Sequence, residues 1–141
     1  RLSPALPLIG GGHTRFQPVY VGDVADAITA ICADPKIAGA TFELGGPQVY
    51  SFRQLMEILL EEIDRKRFLV PVPFAIAKLQ AAVLELSPIP ILTRDQVRLL
   101  QHDNIVSGDL PGLDDLGVEA TTLDAILPGY LRRYRRGVWH T

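Results

Sequence analysis

The sequence predicts an α/β protein, and three observations predict it. Short runs with strand-like alternation recur near residues 16–21, 41–46 and 67–73. Helical periodicity follows each of them, and the remainder of the chain reads as helices. Two stretches, beginning at Ser51 and Thr93, place Gln three residues after a Ser or Thr, the spacing of a helix-starting capping box. The order strand, helix, strand, helix, strand demands crossover connections, hence short parallel strands with crossover helices and a helical tail. Three strands make a thin sheet. No repeat, low-complexity stretch or linker divides residues 1–141, so the reading is a single domain.

The elements follow in chain order. Residues 1–14, "RLSPALPLIGGGHT", carry two prolines and three consecutive glycines, which predicts an irregular opening segment. In "FQPVYV" Phe16, Pro18 and Tyr20 face one way and Gln17, Val19 and Val21 the other, a strand that Pro18 assigns to an edge. From Val24 the positions Val24, Ala27, Ile28 and Ile31 follow helical spacing, and the "DP" of Asp34 and Pro35 ends the run. "TFELGG" is the second strand, with Phe42 and Leu44 alternating against Glu43.

Ser51 then opens the best-marked helix, with Gln54 completing the capping box and Tyr50 placed to staple onto Leu55. Its outer face pairs Arg53 with Glu57 and Glu62 with Lys66. "RFLVPVP" is the third strand, and Pro73 suits the start of a helix over "PFAIAKLQAAVLEL". Only Lys78 and Glu85 interrupt that apolar helix, too narrow a stripe for a solvated surface. Burial in the domain's own core is the plain expectation; packing on an absent upstream domain, a second copy or a membrane surface are the sharper ones. "SPIPIL" breaks the helix, Thr93 starts the next, "LDDLG" forms one turn closed by Gly117, and a last helix from about Thr121 is kinked or divided by Pro128.

Composition narrows the function. With 48% apolar and 21% charged residues the chain is expected to fold, and at this length to bury roughly two-thirds of the surface it exposes when unfolded. The net charge of -2 implies no general affinity for nucleic acid. A single cysteine, Cys32, supports neither a disulfide nor a cysteine metal site within one chain, and a reducing compartment is expected. No apolar run is long enough to span a membrane and no secretory signal opens the chain. Starting at Arg1, the chain reads as a piece of a longer polypeptide.

Asp23 stands where alternation gives way to helix, and the expectation is a helix-capping carboxylate, which the positive end of the helix dipole also favours. A Tyr with a Lys four residues later, in which the ammonium lowers the phenol pKa, is missing: the residues four before Lys36, Lys66 and Lys78 are Cys32, Glu62 and Phe74. "GGG" at 10–12 lacks the spacing of a dinucleotide fingerprint and reads as a turn. His13, His102 and His140 have no metal-ligand spacing. The basic run "RRYRR" at 132–136 could hold phosphate, RNA or anionic lipid, but cations at a helix C-terminus are ordinarily solvated partners of the dipole. Asp114 and Asp115 read as a first-turn acidic pair, not a catalytic dyad.

Taken together, "QPVYVGDVADAI", "TFELGGPQVYSFRQLMEIL", "VPVPFAIAKL" and "LTRDQVRLLQHDN" resemble the C-terminal half of extended, atypical short-chain dehydrogenase/reductase proteins of the NAD-dependent epimerase/dehydratase family. The similarity is nearest to bacterial relatives of the NAD(P)H-binding accessory subunit of respiratory complex I. This resemblance implies a Rossmann-like fold whose cofactor-binding half lies upstream, so that NAD(P)H belongs to the full-length protein and no cofactor is bound by this chain alone. In sugar-nucleotide epimerases of the wider family an arginine seven residues before the aspartate matching Asp23 contacts the diphosphate. Here that position is Phe16, and Arg15 lies one place away, on the opposite face of a strand. A second family arginine falls at Ser107. The missing cations weaken a sugar-nucleotide activity.

The resemblance implies a substrate-side, C-terminal portion with a structural or regulatory role, cytoplasmic and peripheral to the inner membrane, partnered by its Rossmann half and by complex I. The alternative is an active NAD(P)-dependent epimerase, dehydratase or reductase, in which His13, Arg15 and Tyr20, placed by the family near the cleft between the halves, contact substrate. A third reading is a free-standing interaction module. For the isolated chain a homodimer is expected, because the face bared by removal of the Rossmann half is apolar.

Overall fold

The computed structural model describes residues 5–85 and 92–135. It is α/β, with short strands, intervening helices and a helical C-terminal tail. The chain gathers into two compact units, one built from the chain through Phe16, Tyr50–Asn104 and the stretch from Arg135, the other from Gln17–Val49 and Ile105–Tyr134.

In the first unit β1 (Ala5–Ile9) pairs in parallel with β4 (Phe68–Val72), Ala5 opposite Phe68 and Ile9 opposite Val72. The expected irregular start is therefore corrected: its "ALPLI" is a strand. Prolines at Pro7 and Pro71 are tolerated because each strand of a two-stranded sheet keeps one unpaired edge, while Leu8 is fully buried and Ile9 nearly so. The three glycines form a tight turn at positive φ. A Cβ at Gly10 would lie 2.2 Å from the Phe74 ring, so both the backbone angle and the space require glycine there.

A second pair, β2 (Arg15–Phe16) with β3 (Tyr50–Ser51), is antiparallel, and the strand expected over 16–21 shrinks to its first residue. Pro18 has no N–H to extend the ladder, and Val21 already belongs to a helix. Between the pairs, the Thr14 hydroxyl donates to the Leu100 carbonyl and the Phe52 N–H donates to the Thr14 carbonyl at 2.8 Å.

Both capping boxes form. At the head of α2 (Phe52–Glu62), Ser51 Oγ accepts from the Gln54 N–H at 3.2 Å and Gln54 Oε1 accepts from the Ser51 N–H at 2.7 Å. Thr93 and Gln96 repeat the exchange, at 3.2 and 3.0 Å, ahead of α4 (Arg94–Leu99). Arg53 reaches Glu57 at 3.5 Å as expected, but Glu62 lies 3.7 Å from Arg135, Lys66 being past the end of the helix. The core joins Ile9, Ala77, Ala81 and Val97, with Val72, Phe74, Leu92 and Leu100 against it.

Ala77 and Ala81 belong to α3 (Phe74–Leu84), which follows Pro73 as predicted. Its larger residues do not enter that core: Ile76, Leu79 and Val83 are 51%, 70% and 62% exposed along one stripe. The expected burial of this helix is thus limited to its alanine side, since small residues are what a close helix contact accommodates. "SPIPI" at 87–91 lies outside the described residues.

In the second unit α1 (Val21–Ala33) ends where Asp34 and Pro35 stop it, the Asp34 side chain accepting from the Lys36 N–H at 2.9 Å. "TFELGG" forms no strand, contrary to expectation; the Glu43 N–H donates to the Pro111 carbonyl at 2.9 Å without a ladder developing on either side. Asp114–Leu116 make a 3-10 turn closed by Gly117 at φ 70°, as read from sequence. α5 (Leu123–Leu131) continues across Pro128, which does not divide it. The missing proline N–H withdraws a single donor, the one that would reach the carbonyl of Asp124 in the first turn.

Candidate functional site

Residues 17–23 pass from extended chain into α1 and carry the densest polar construction of the second unit. The Gln17 side chain holds two backbone segments at once, its Nε2 donating to the Gly46 carbonyl at 2.8 Å and its Oε1 accepting from the Val106 N–H at 3.2 Å. Gly46 is required beside it, because a Cβ there would stand 1.8 Å from the Pro18 carbonyl oxygen.

α1 begins at Val21 with Tyr20 as its cap residue, and no side chain caps it. The capping role expected of Asp23 is therefore corrected. Asp23 is the third helical residue, only 4% exposed, and its carboxylate is turned to another part of the unit. Oδ2 accepts from the Thr121 N–H at 2.7 Å and Oδ1 from the Thr121 hydroxyl at 2.6 Å. The helix dipole still favours the negative charge in this first turn, but both oxygens are occupied in tying α1 to the chain just before α5.

That tie borders an apolar cavity of about 230 Å3 lined chiefly by Pro18, Tyr20, Val21, Thr122, Ile126 and Tyr130. Among the described residues none that line it is charged, so these offer nothing with which to neutralise a phosphate. Tyr20, one of the three residues proposed to touch substrate, is part of this wall; a Cβ on Gly22 would meet its ring at 2.3 Å.

His13 and Arg15, the other two, belong to the first unit. His13 is exposed and follows the glycine turn, where a Cβ on Gly11 would lie 2.9 Å from its imidazole. Arg15 is engaged by Asp103: its main-chain N–H and its Nε each donate to that carboxylate at 2.8 Å, and a terminal guanidinium nitrogen lies 2.8 Å from it. The Arg15 N–H, then its side chain, hold the Asp103 carboxyl below its usual range. Arg15 thus forms a fork-on-carboxylate pair, with the Asn104 N–H donating to the Arg15 carbonyl at 2.8 Å.

At the other position where the resemblance leads one to look for a cation, Ser107 faces an acid. Glu43 Oε2 accepts from the Ser107 N–H at 2.6 Å and from its hydroxyl at 2.7 Å. The hydroxyl first, then the Ser107 and Gly108 N–H groups, keep the Glu43 carboxyl below its ordinary value against an opposing burial effect. An ionised carboxylate beside Ser107 opposes an anionic ligand there.

Sequence reasoning singled out Asp23, Arg15 and Ser107 but missed the partners Thr121, Asp103 and Glu43. These lie 98, 88 and 64 residues away along the chain, and no local spacing signals a contact at such distances. Among the described residues no cluster of three His, Cys, Asp or Glu side chains could hold a metal ion, and no helix is long and apolar enough to cross a membrane.

No protein-family model matches the chain. Over 94% of its length it is 40% identical to "NADH dehydrogenase (ubiquinone) 1 alpha subcomplex subunit 9, mitochondrial" of Arabidopsis thaliana, covering 35% of that protein. The mouse protein of the same name is 35% identical over 96% of the chain, which covers 36% of it. The "NADH-ubiquinone oxidoreductase 40 kDa subunit, mitochondrial" of Neurospora crassa is 31% identical over 92% of the chain, which covers 35% of it. The chain therefore spans about a third of the length of these curated relatives, and what it resembles is part of an accessory subunit of respiratory complex I.

Proposed function

We propose that this chain is the substrate-side, C-terminal portion of an NAD(P)H-binding, short-chain-dehydrogenase-like protein that associates with respiratory complex I in a structural or regulatory role. The observation that carries the reading is the similarity of nearly the whole chain to one third of complex I subunits from a plant, a mammal and a fungus. In this reading the cofactor is held by an upstream Rossmann half, and the assembly sits against the inner membrane.

The geometry supports a role other than sugar-nucleotide chemistry. Phe16 replaces one of the two cations that grip a diphosphate in the resembling epimerases, Arg15 is committed to Asp103, and Ser107 at the second position is bonded to the acidic Glu43. A diphosphate brought to either position would meet a phenyl ring or a carboxylate in place of a guanidinium.

Native fractionation and mass spectrometry of the longer polypeptide from its own cells test the proposal. The expected result is recovery in a large membrane-associated assembly containing complex I subunits, with NAD(P)H retained. Recovery as a small oligomer free of those subunits, or turnover of a nucleotide sugar with NAD, would overturn it.

A further inference from the structure

α5 carries Leu123, Ile126, Leu127 and Tyr130 along one face at helical spacing, yet no residue of this helix is buried. Residues 18–21, which lead into α1, stand against that face. The Asp23 carboxylate fixes the interval between them, because it holds Thr121, two residues ahead of α5, through both of its oxygens. The gap that remains is the cavity of about 230 Å3, and its lining residues all belong to the second unit.

Aliphatic side chains supply much of the wall, with Val21 66% exposed and Ile126 and Leu127 half-buried. Three hydroxyls join them, those of Tyr20, Thr122 and Tyr130, and none is hydrogen-bonded to another described residue; Thr122 is the cap residue of α5, but its side chain does not cap the helix. The start of α1 supports the Tyr20 ring, at the 2.3 Å that a Cβ on Gly22 would leave. Tyr130, on the facing helix, is 60% exposed.

We infer that this cavity binds a small uncharged aromatic ring bearing an oxygen acceptor, of the aryl-ketone kind. An apolar cavity of about 150 Å3 is enough to hold benzene. At about 230 Å3 this one takes a single ring with a short substituent, and it falls below the ~300 Å3 at which drug-sized sites begin. An anion or an ammonium would give up its hydration and meet no opposite charge among the described lining residues. A purely hydrocarbon guest would leave the hydroxyls it covers without partners, a cost that an acceptor oxygen removes. Two tyrosine rings favour a flat aromatic guest, since aromatic pairs gain beyond the area they bury. The inference is independent of the complex I reading, because it concerns one cavity of the second unit and a small molecule.

Saturation-transfer NMR titrations of the full 141-residue chain with three probes of one size test it. Acetophenone supplies ring and acceptor, isopropylbenzene the same outline without the acceptor, and benzoate the same outline with a charge. Acetophenone and isopropylbenzene are expected to bind saturably and benzoate not to bind. Tyr20→Phe combined with Tyr130→Phe should weaken acetophenone about fivefold or more and leave isopropylbenzene unchanged. Ile126→Phe, which fills the cavity, should abolish binding of both at an unaltered melting temperature; if that variant does not fold, the tyrosine pair decides alone. No saturable binding of acetophenone, binding of benzoate equal to it, an equal response of both ring probes to the tyrosine substitutions, or acetophenone binding that survives Ile126→Phe would overturn the inference. So would a concentration-dependent dimer that Ile126→Phe breaks, which would give the cavity to a side chain of a second copy.

Discussion

Thr121→Val keeps the main-chain donor to Asp23 Oδ2 but withdraws the hydroxyl from Oδ1. A buried carboxylate oxygen left without its donor costs about 1–3 kcal/mol, and that loss is the expected result in chemical denaturation; a change within error would show that water replaces the hydroxyl at no cost. Three acids are depressed, Glu43, Asp103 and Glu85, the last by the Arg94 N–H and then its guanidinium, and each contributes to stability against acid. Each binds its proton less readily folded than unfolded. Their contribution is therefore complete above the ordinary values of 4.5 for the glutamates and 3.8 for Asp103, and is lost as pH falls through the lower folded-state values. Glu43→Gln should flatten the decline of stability below pH 4.5, read from melts across an acid series; an unaltered slope would remove Glu43 from that account. At this scale the sequence singled out Asp23, Arg15 and Ser107 but not the remote groups that engage them. Asp23 has every local attribute of a cap, and only the remote arrival of Thr121 explains why its carboxylate turns away.

Among the elements, α2 depends on a reciprocal exchange that one substitution breaks. Ser51→Ala removes the acceptor for the Gln54 N–H and should cost about 1 kcal/mol, with Thr93→Ala behaving alike at α4; a loss of only a few tenths in thermal denaturation would mean that solvent serves these helix ends equally well. Both capped helices, β4 and the Gly117 turn were legible because their signals are local, carried by residues three or four apart. β1 was illegible for the opposite reason. Its prolines and glycines argue against a strand until a partner 63 residues downstream supplies the ladder, Ala5 meeting Phe68. "TFELGG" failed the other way, since alternation of Phe42 and Leu44 shows an ability to pair but cannot supply a neighbouring strand. The same holds for Arg15, which was visible as a cation while its capture by Asp103 was not.

For the molecule as a whole, the uncharged stripe of Ile76, Leu79 and Val83 on α3 is the surface on which the expected homodimer turns. Burial of such side chains gains roughly 25 cal/mol per Å2, so light scattering of the isolated chain should show a dimer at high concentration, and Leu79→Glu should return it to monomer with little change in melting temperature. A monomer at every concentration would remove self-association from the description. The two units also interleave along the chain. The first is built from the chain through Phe16 and from Tyr50–Asn104, the second from Gln17–Val49 and Ile105–Tyr134. Vectorial synthesis consequently delivers neither unit whole until late. On a translating ribosome β1 waits for β4 to emerge, and Asp23 stays without its partner until Thr121 is added. A nascent chain halted at Asn104 would carry a first unit lacking, among its described residues, Arg135, and a helix α1 whose buried acid is without Thr121, a half-made state for chaperones to recognise.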